Sequence, residues 1–222
     1  MDPVQHAVAV HRRLLDFFGF PEWNSQNAPL DVLVNTVLSQ NTNDQNRDRA
    51  YAALRRRFTT WEAVRDAPEA EVIEAIRPAG LASQKGPRIQ QMLREITQER
   101  GSLELDFLKG MSSQEARDWL LKFKGVGPKT AAIVMLFSLD KPAFPVDTHV
   151  FRVSGRLGLR PIKMSVEQAH MFLEQLFPPD TYAAAHLNLI RLGREICFAR
   201  RPDCMACPVN DLCVYYASLY GS

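Results

Sequence analysis

All four cysteines of this chain lie in one short C-terminal stretch, where their number and spacing suggest metal chemistry. They are spaced C-x6-C-x2-C-x5-C, at Cys197, Cys204, Cys207 and Cys213. Thiolates gathered this closely repel one another unless a cation or a cluster holds them, and a four-thiolate pocket suits Zn²⁺ or an iron–sulfur cluster. A zinc ribbon usually contains two short C-x2-4-C pairs, whereas this stretch contains one. The spacing therefore favours a 4Fe–4S cluster over a zinc ion and over two disulfides.

A second candidate site is a glycine-rich turn between two helical patterns. Gly125-Val126-Gly127 is followed by Pro128, a residue that is tolerated in the first turn of a helix. Glycine lets the backbone approach a ligand closely, and the N–H groups at a helix start bind phosphate. Residues 117–129 carry four basic side chains and one acidic side chain, a net charge of +3. The pattern predicts a phosphate-binding corner, with an ordinary helix–turn–helix packing corner as the alternative.

Asp147 precedes a helical pattern formed by Val150, Phe151, Ser154 and Leu157. Taken alone, this position is typical of an N-cap, because a carboxylate there accepts hydrogen bonds from first-turn N–H groups. His149 follows two residues later. We interpret it as a structural or phosphate-contacting residue rather than as a base.

Together, these segments resemble the endonuclease III family of DNA glycosylases. The turn resembles the helix-hairpin-helix signature L-x-G-V-G-x-K-T-A, with Lys129 at the lysine, and residues 144–152 resemble the V-D-T-H-V-x-R element. The cysteine stretch follows in the expected order, so the resemblance covers about residues 30–213. It implies an all-α, two-lobed DNA glycosylase fold and a place in base excision repair. The partner that it implies is double-stranded DNA with damaged bases or abasic sites.

The resemblance implies a bifunctional glycosylase and abasic-site lyase, with Lys129 as the nucleophile and Asp147 as the catalytic aspartate. Loss of a base leaves positive charge at C1′ that a carboxylate can stabilise, and an unprotonated amine can attack that carbon to form a Schiff base. A lysine in water is almost fully protonated at neutral pH, so its pKa must be lowered or its proton removed in the site. The substrates that the family implies are oxidised pyrimidines such as thymine glycol.

The resemblance also implies which residues contact DNA and which further ion is bound. The expected contacts are Gln40, Asn41, Lys124, Gly125, Val126, Gly127, Thr130 and His149. A monovalent cation that bridges the hairpin backbone to a phosphate is implied as well. Lys124 departs from the family, which commonly has proline there, and it adds a positive charge near the phosphate.

The polar loop after Leu38 is expected to fill the gap that a flipped base leaves in the duplex. It resembles the family's L-S-x-Q-x-x-D loop, with Asn41 at the gap-filling position and Gln40 just before it. Asn41 is a departure, since a shorter amide stands there, and this affects the expected lesion preference. Either amide is a candidate for the gap, and a plain helix cap is the alternative for both.

Two other functions compete with this interpretation. A monofunctional glycosylase for mismatched adenine needs an acidic residue before the loop, and residues 32–40 contain neither Asp nor Glu. Mismatch branches, for adenine or for thymine, often lack the hairpin lysine, which is present here as Lys129. A non-catalytic DNA-binding module would leave Lys129 and Asp147 without a role.

Hydrophobic periodicity predicts helices almost throughout and no strands. Residues 89–96 place four apolar side chains on one helical face: Ile89, Met92, Leu93 and Ile96. Capping boxes are predicted for Thr59 with Glu62, Ser112 with Glu115, and Ser165 with Gln168. About nine or ten helices of roughly 8–16 residues are expected.

Composition and boundaries predict a globular protein of two domains. The 222 residues are 46% hydrophobic and 23% charged, with a net charge of +2. Prolines near residues 139–146 interrupt helical continuation, and a weaker boundary lies near Asn24–Pro29. We expect a helical barrel domain at residues 28–139 and a cluster domain at residues 1–27 plus 140–222. The sequence shows no secretory signal and no apolar run of membrane-spanning length, and its clustered reduced thiols suit a cytosolic compartment better than an oxidising one. We expect a monomer in the prokaryotic cytoplasm, associated with the nucleoid.

Overall fold

The computed structural model describes residues 2–23 and 27–221, and within them every regular element is a helix. The α-helices are α1 (Pro3–Phe18), α2 (Pro29–Leu38), α3 (Asp44–Arg57), α4 (Trp61–Asp66), α5 (Glu69–Ala75), α6 (Ala82–Arg100), α7 (Ser113–Leu121), α8 (Pro128–Ser138), α9 (Thr148–Leu157), α10 (Val166–Leu176), α11 (Tyr182–Glu195) and α12 (Val214–Tyr220). Short 3₁₀ helices occur at Arg77–Ala79, Asp106–Gly110, Pro179–Thr181 and Asn210–Leu212. The predicted all-α fold is confirmed. None of the described helices is both long and apolar enough to cross a bilayer.

The predicted helix inventory needs two corrections. There are twelve α-helices in the described part, because α4, α5 and α12 have only six or seven residues, too few for a periodic signal. The capping boxes at Ser112 and Ser165 are confirmed. The one at Thr59 is wrong, because Thr60 is the N-cap residue of α4 and accepts from Ala63 N–H.

One of two compact units comprises Ser25–Asp140, and α2 is its most buried helix. Seven of the ten residues of α2 are buried, and the helix packs against α3, α6 and α8. The predicted apolar face of α6 is confirmed, since all four of its side chains are buried. Because α7 also packs against α8, the turn between these two helices is anchored to the core of this unit.

The other unit comprises Met1–Asn24 and Lys141–Ser222. In its core α11 packs against α1 and α9, and α12 packs against α9. Phe144 is fully buried and stacks on Phe177, with ring centroids 5.0 Å apart. The two units meet between residues 24 and 25. Residues 24–26 are not among the described residues, so part of the predicted boundary near Asn24–Pro29 lies outside them.

Candidate functional site

The glycine turn between α7 and α8 is held by backbone hydrogen bonds. Val126 N–H donates to Phe123 O, and Ala131 N–H donates to Gly127 O, both at 3.0 Å. Gly125 has φ +91°, a conformation that residues with a Cβ disfavour. Gly127 is the N-cap residue of α8 and supplies no capping side chain, so the helix start can receive an anion. Since the Val126 side chain is buried, any contact of Val126 with DNA would use its backbone. The monovalent cation at this turn stays a prediction.

The polar side chains of the hairpin differ in their surroundings. Lys124 is exposed, whereas Lys129 is half-buried in the first turn of α8. Thr130 is only 3% exposed, so it offers mainly its backbone N–H to a ligand. Lys122 forms an ion pair with Glu99 at 3.5 Å, which offsets part of the positive charge of this corner.

The loop after α2 holds its two amides in different ways. Gln40 is half-buried, and its Nε2 donates to Gly125 O at 2.8 Å, which ties the loop to the hairpin turn. Asn41 is exposed and has φ +53°, a left-handed conformation that asparagine tolerates better than most residues. The Asn41 amide can therefore meet a ligand without loss of this internal hydrogen bond, whereas the Gln40 amide cannot.

Asp147 caps α9, as its position in the sequence predicts. Its Oδ1 accepts from Val150 N–H at 2.7 Å, and its backbone is extended. The side chain is half-buried. The cap fixes the direction of the carboxylate, and it uses one of the two carboxylate oxygens.

His149 belongs to a hydrogen-bond network that joins α9 to the end of α11. Arg152 Nη2 donates to His149 Nδ1 at 3.2 Å and to Gly193 O at 2.8 Å, and Arg152 Nε donates to Cys197 O at 3.2 Å. Because Nδ1 accepts, a neutral His149 ring carries its proton on Nε2. A Cβ on Gly193 would lie 2.9 Å from His149 Cβ, so the helices are in close contact here. These contacts favour the structural interpretation of His149.

The four cysteines line one cavity in the unit that contains α9, α11 and α12. Cys197 follows α11 and Cys213 precedes α12, with Cys204 and Cys207 in the loop between them. Arg156 of α9 lines the same cavity, and its Nη1 donates to Cys197 Sγ at 3.3 Å.

Burial makes ionisation of these thiols costly. It raises the pKa of Cys207 to about 11, against a smaller opposing effect of a hydrogen bond to the Val209 backbone. Burial also raises the pKa of Cys204 and of Cys213, and neighbouring thiols add to the rise. Since cysteine binds metals as thiolate, the positive charge of a bound metal group must offset this cost.

This donor set fits an iron–sulfur cluster. All four cysteines line one cavity. Four cysteine thiolates are the ligand set of a 4Fe–4S cluster. Cys197, Cys204, Cys207 and Cys213 are the residues that would hold such a cluster.

Two residues with specific contacts at these sites were missed in the sequence. Arg156 lies four residues after Arg152 and hence on the same face of α9, a spacing that was available as a signal. Lys85 is 2% exposed and donates to the carbonyl of Leu38, at the end of α2. Nothing in the local sequence marks it, because an unpaired lysine is rarely buried.

Two family descriptions match the chain. Residues 34–179 match the HhH-GPD superfamily base excision DNA repair protein, a span that includes the hairpin and Asp147. Residues 197–213 match the iron–sulfur binding domain of endonuclease III, and the span begins and ends at the outer cysteines. The second match confirms the predicted iron–sulfur cofactor.

Curated relatives agree with these descriptions. Endonuclease III of Thermotoga maritima is 33% identical over 89% of this chain and 88% of its own length. DNA glycosylase/AP lyase ROS1 of Arabidopsis thaliana is 31% identical over 73% of this chain, which is 13% of its own length. Other plant relatives are also longer: the chain spans 53% of an Arabidopsis thaliana relative that is 39% identical, and 11% of Protein ROS1C of Oryza sativa subsp. japonica.

Solved structures share the fold. A non-covalent Endonuclease III–DNA complex aligns with a TM-score of 0.86 and 27% identity, over 99% of both chains. A trapped Endonuclease III–DNA covalent intermediate aligns with a TM-score of 0.83 and 27% identity over the same shares. A thermostable thymine-DNA glycosylase shows the fold alone, at 21% identity and a TM-score of 0.82 over 96% of this chain and 98% of its own.

Proposed function

Since this chain belongs to the endonuclease III family of helix-hairpin-helix base excision DNA repair proteins, we propose that it is a bifunctional DNA glycosylase and abasic-site lyase. Its proposed substrate is duplex DNA with an oxidised pyrimidine, such as thymine glycol, or with an abasic site. The observation that carries the proposal is the position of Lys129, which is half-buried in the first turn of α8 directly after the glycine turn.

In the proposed reaction, the unprotonated Lys129 amine attacks C1′, and the bond from C1′ to the damaged base breaks. The base leaves with the electron pair of that bond and takes up a proton. The nitrogen lone pair then forms a C=N bond while the C1′–O4′ bond breaks and O4′ takes up a proton, which opens the sugar ring and gives a protonated Schiff base between Lys129 and C1′. Removal of a C2′ proton then expels the 3′ phosphate and nicks the strand, and water releases Lys129 from the Schiff base.

In the proposed reaction, the negative charge of Asp147 stabilises the transition state. Positive charge develops at C1′ while the base departs, and a carboxylate held in a fixed direction stabilises it without reorganisation. The hydrogen bond from Val150 N–H provides that fixed direction. The N-cap role and the catalytic role of Asp147 are therefore compatible.

The remaining site residues bind and open the duplex. The uncapped start of α8, with Lys124 beside it, is suited to a DNA phosphate. We assign gap filling to Asn41, because Gln40 already donates to Gly125 O within the protein. The iron–sulfur cluster, held by the four cysteines, supplies structural order to the C-terminal loop rather than a step of the reaction.

Borohydride trapping on a duplex with one thymine glycol tests the proposal, because it reduces a Schiff base to a stable protein–DNA adduct. The wild-type protein should give this adduct, and Lys129→Ala should give neither adduct nor strand nicking. Lys122→Ala is the matched control, since it removes an exposed lysine of the same hairpin that pairs with Glu99 and should still form the adduct. An adduct that persists in Lys129→Ala would show that another amine is the nucleophile.

Two further results of this experiment would change the assignment. Base release that becomes visible only after alkali treatment, without any adduct, would indicate a monofunctional glycosylase. If neither release nor adduct were seen with thymine glycol, other lesions would be tested in the same assay. Duplex binding without reaction on any lesion would indicate the non-catalytic binding module.

A further inference from the structure

Lys85 is a fully buried lysine whose ammonium group is held by backbone carbonyls. It lies on α6, its side chain is 2% exposed, and Nζ donates to Leu38 O and Ala79 O, both at 2.8 Å. Both partners are uncharged, and in the described part of the chain Lys85 forms no ion pair. Burial lowers the pKa of Lys85 below its ordinary value. An ammonium group buried in this way is costly, so the two carbonyl contacts must offset the cost.

The first of these contacts caps the end of α2. The last four carbonyl groups of this helix accept, in chain order, from Ser39 N, Ser39 Oγ, Gln40 N and Lys85 Nζ. Three of these donors come from the next two residues of the chain, and only Lys85 comes from another helix. Its positive charge also lies where the helix dipole is negative, which strengthens the cap.

The second contact ties the same ammonium group to the turn that leads into α6. Ala79 ends a 3₁₀ helix and is followed by Gly80 and Leu81, which have φ +66° and +49°. Lys85 thus joins this tightly turned segment to the end of α2. The start of the loop after α2 cannot move relative to that turn unless a buried hydrogen bond breaks.

The loop that begins after Leu38 carries Gln40 and Asn41. Lys85 holds its start, and the hydrogen bond from Gln40 Nε2 to Gly125 O holds its middle at 2.8 Å. Asn41 follows at once with φ +53°, exposed to solvent. The direction in which Asn41 leaves the protein surface therefore depends on both attachments.

We propose that Lys85 is a positioning residue for base flipping: it caps α2 and thereby fixes the loop that presents Asn41 to the gap in the duplex. This inference rests on the proposed glycosylase function, because gap filling matters only to an enzyme that flips a nucleotide. A stacked, paired lesion must be extracted against stacking and pairing, whereas an abasic site has no base to extract. A misplaced loop should therefore slow base release more than cleavage at an abasic site.

The matched pair of variants is Lys85→Met and Gln90→Met. Both residues lie on α6 and are buried, and both donate to backbone carbonyls. Gln90 Nε2 donates to Val64 O at 2.9 Å and to Ala67 O at 2.8 Å, contacts that do not involve the loop after α2. Each variant leaves two main carbonyl acceptors unsatisfied, so similar losses of stability are expected from both.

The readouts are single-turnover base release from a thymine glycol duplex, strand cleavage at a preformed abasic site, and fluorescence of 2-aminopurine opposite the lesion. In Lys85→Met, base release should fall roughly tenfold to hundredfold and abasic-site cleavage less than about threefold. The variant misplaces the loop that carries Asn41 but removes no group that takes part in the reaction. The 2-aminopurine change that reports the opened duplex should shrink in the same variant. Gln90→Met should keep the wild-type ratio of the two activities.

Two kinetic outcomes would overturn the proposal. One is a wild-type ratio of the two activities in Lys85→Met, whether or not both activities fall, and the other is the same change of ratio in Gln90→Met. If Lys85→Met does not fold, Lys85→Gln carries the same comparison, because it keeps N–H donors on a shorter side chain. Failure of both variants to fold would assign Lys85 to stability alone.

Hydrogen exchange without DNA separates this proposal from the proposed function. The N–H group of Gln40 donates to Val37 O in the last turn of α2, and that of Thr42 donates to Ser39 O in the loop. They should exchange faster in Lys85→Met and at the wild-type rate in Gln90→Met. Unchanged exchange in Lys85→Met would overturn the positioning role. Faster exchange in Lys85→Met than in Gln90→Met would show that Lys85 holds the loop, even if the wild-type protein gave no borohydride adduct.

Discussion

α8 and α9 begin in opposite ways, although each starts at a segment that the sequence marks as a candidate site. The N-cap residue of α8 is Gly127, which offers no side chain to the first-turn N–H groups. The N-cap residue of α9 is Asp147, whose carboxylate accepts from Val150 N–H. An open helix start attracts an anion, whereas a start closed by its own carboxylate presents negative charge. The proposed reaction uses both, one for a DNA phosphate and one for the positive charge at C1′.

The two helix starts also differ in what supports them. The α8 start is anchored within its unit by α2 and α7, and its turn closes through local backbone hydrogen bonds. α9 is tied to the cysteine loop, because Arg152 donates to Cys197 O and Arg156 donates to Cys197 Sγ. Order at the start of α9 should therefore depend on the cluster, and order at the start of α8 should not.

The largest expected effect comes from loss of the cluster in Cys207→Ser. Cysteine-bound metal groups contribute folding free energy directly, on the order of 10 kcal/mol in small metal-binding domains, so the loop and the contacts of α9 should loosen. The variant should lose iron and its broad visible absorption. Hydrogen exchange at Val150 N–H should become much faster, while exchange at Val126 N–H should change little.

Arg13→Met is the control for this comparison. Arg13 contacts the same loop through an exposed ion pair with Asp211 and a hydrogen bond to Pro208 O, and surface contacts of this kind contribute little. That variant should keep its iron and its colour. Equal acceleration at Val150 and Val126 in Cys207→Ser would contradict the separate support of the two helix starts.

The second effect concerns charge at the start of α9. Asn caps a helix as well as Asp does, so Asp147→Asn should keep the cap and its stability while it removes the carboxylate charge. Base release should fall roughly hundredfold to thousandfold, the loss seen when a preorganised electrostatic group is removed from an active site. Thermal unfolding and single-turnover kinetics measure the two properties separately.

Asp147→Ala should lose both properties, with a further destabilisation of about 1 kcal/mol from the missing cap. If Asp147→Asn released the base at the wild-type rate, the only role left for Asp147 would be to cap α9. A large fall in the melting temperature of Asp147→Asn would mean that the carboxylate is needed for the fold, and the loss of rate would then say nothing about catalysis.

Local sequence predicted the parts of both sites that depend on neighbouring residues. The N-cap at Asp147, the first-turn Pro128 and the capping boxes at Ser112 and Ser165 follow from spacings of a few residues, and the structure contains all of them. The roles of Lys129 and Asp147 in the reaction stay predictions.

Contacts between distant residues were not predictable in this way. Lys85 and Leu38 are 47 positions apart, and Gln40 and Gly125 are 85 positions apart. Nothing near these residues in the chain marks either hydrogen bond, because each one forms only after α2 has packed against α6 and α8. The error at Thr59 is different in kind, since it is a shift of one residue: the spacing to Glu62 favours Thr59, whereas α4 begins after Thr60.

The third effect closes the open helix start of α8. In Gly127→Asp, the new carboxylate should accept from the first-turn N–H groups, raise stability by roughly a few tenths of a kcal/mol and repel phosphate. Affinity for undamaged duplex should fall about tenfold, with a shallower dependence on salt concentration, because one phosphate contact is lost.

Gly110→Asp adds the same charge to an exposed position of the same unit and should weaken binding much less. Fluorescence anisotropy at several salt concentrations measures both variants. If the two variants lost equal affinity, net charge and not the helix start of α8 would explain the result.

The smallest effect tests whether the backbone conformation of the glycine turn, rather than its glycine content, keeps the N-terminus of α8 accessible. Gly125 has φ +91°, so Gly125→Ala forces a side chain into a conformation that costs about 1–2 kcal/mol. Gly127 has φ −99°, and a Cβ there would meet no atom within 4 Å, so Gly127→Ala should be tolerated. Chemical denaturation should show this difference between two glycines that stand one residue apart. Since Gly125 O also accepts from Gln40 Nε2, a strained turn in Gly125→Ala should speed hydrogen exchange in the loop after α2, whereas Gly127→Ala should leave that loop as it is.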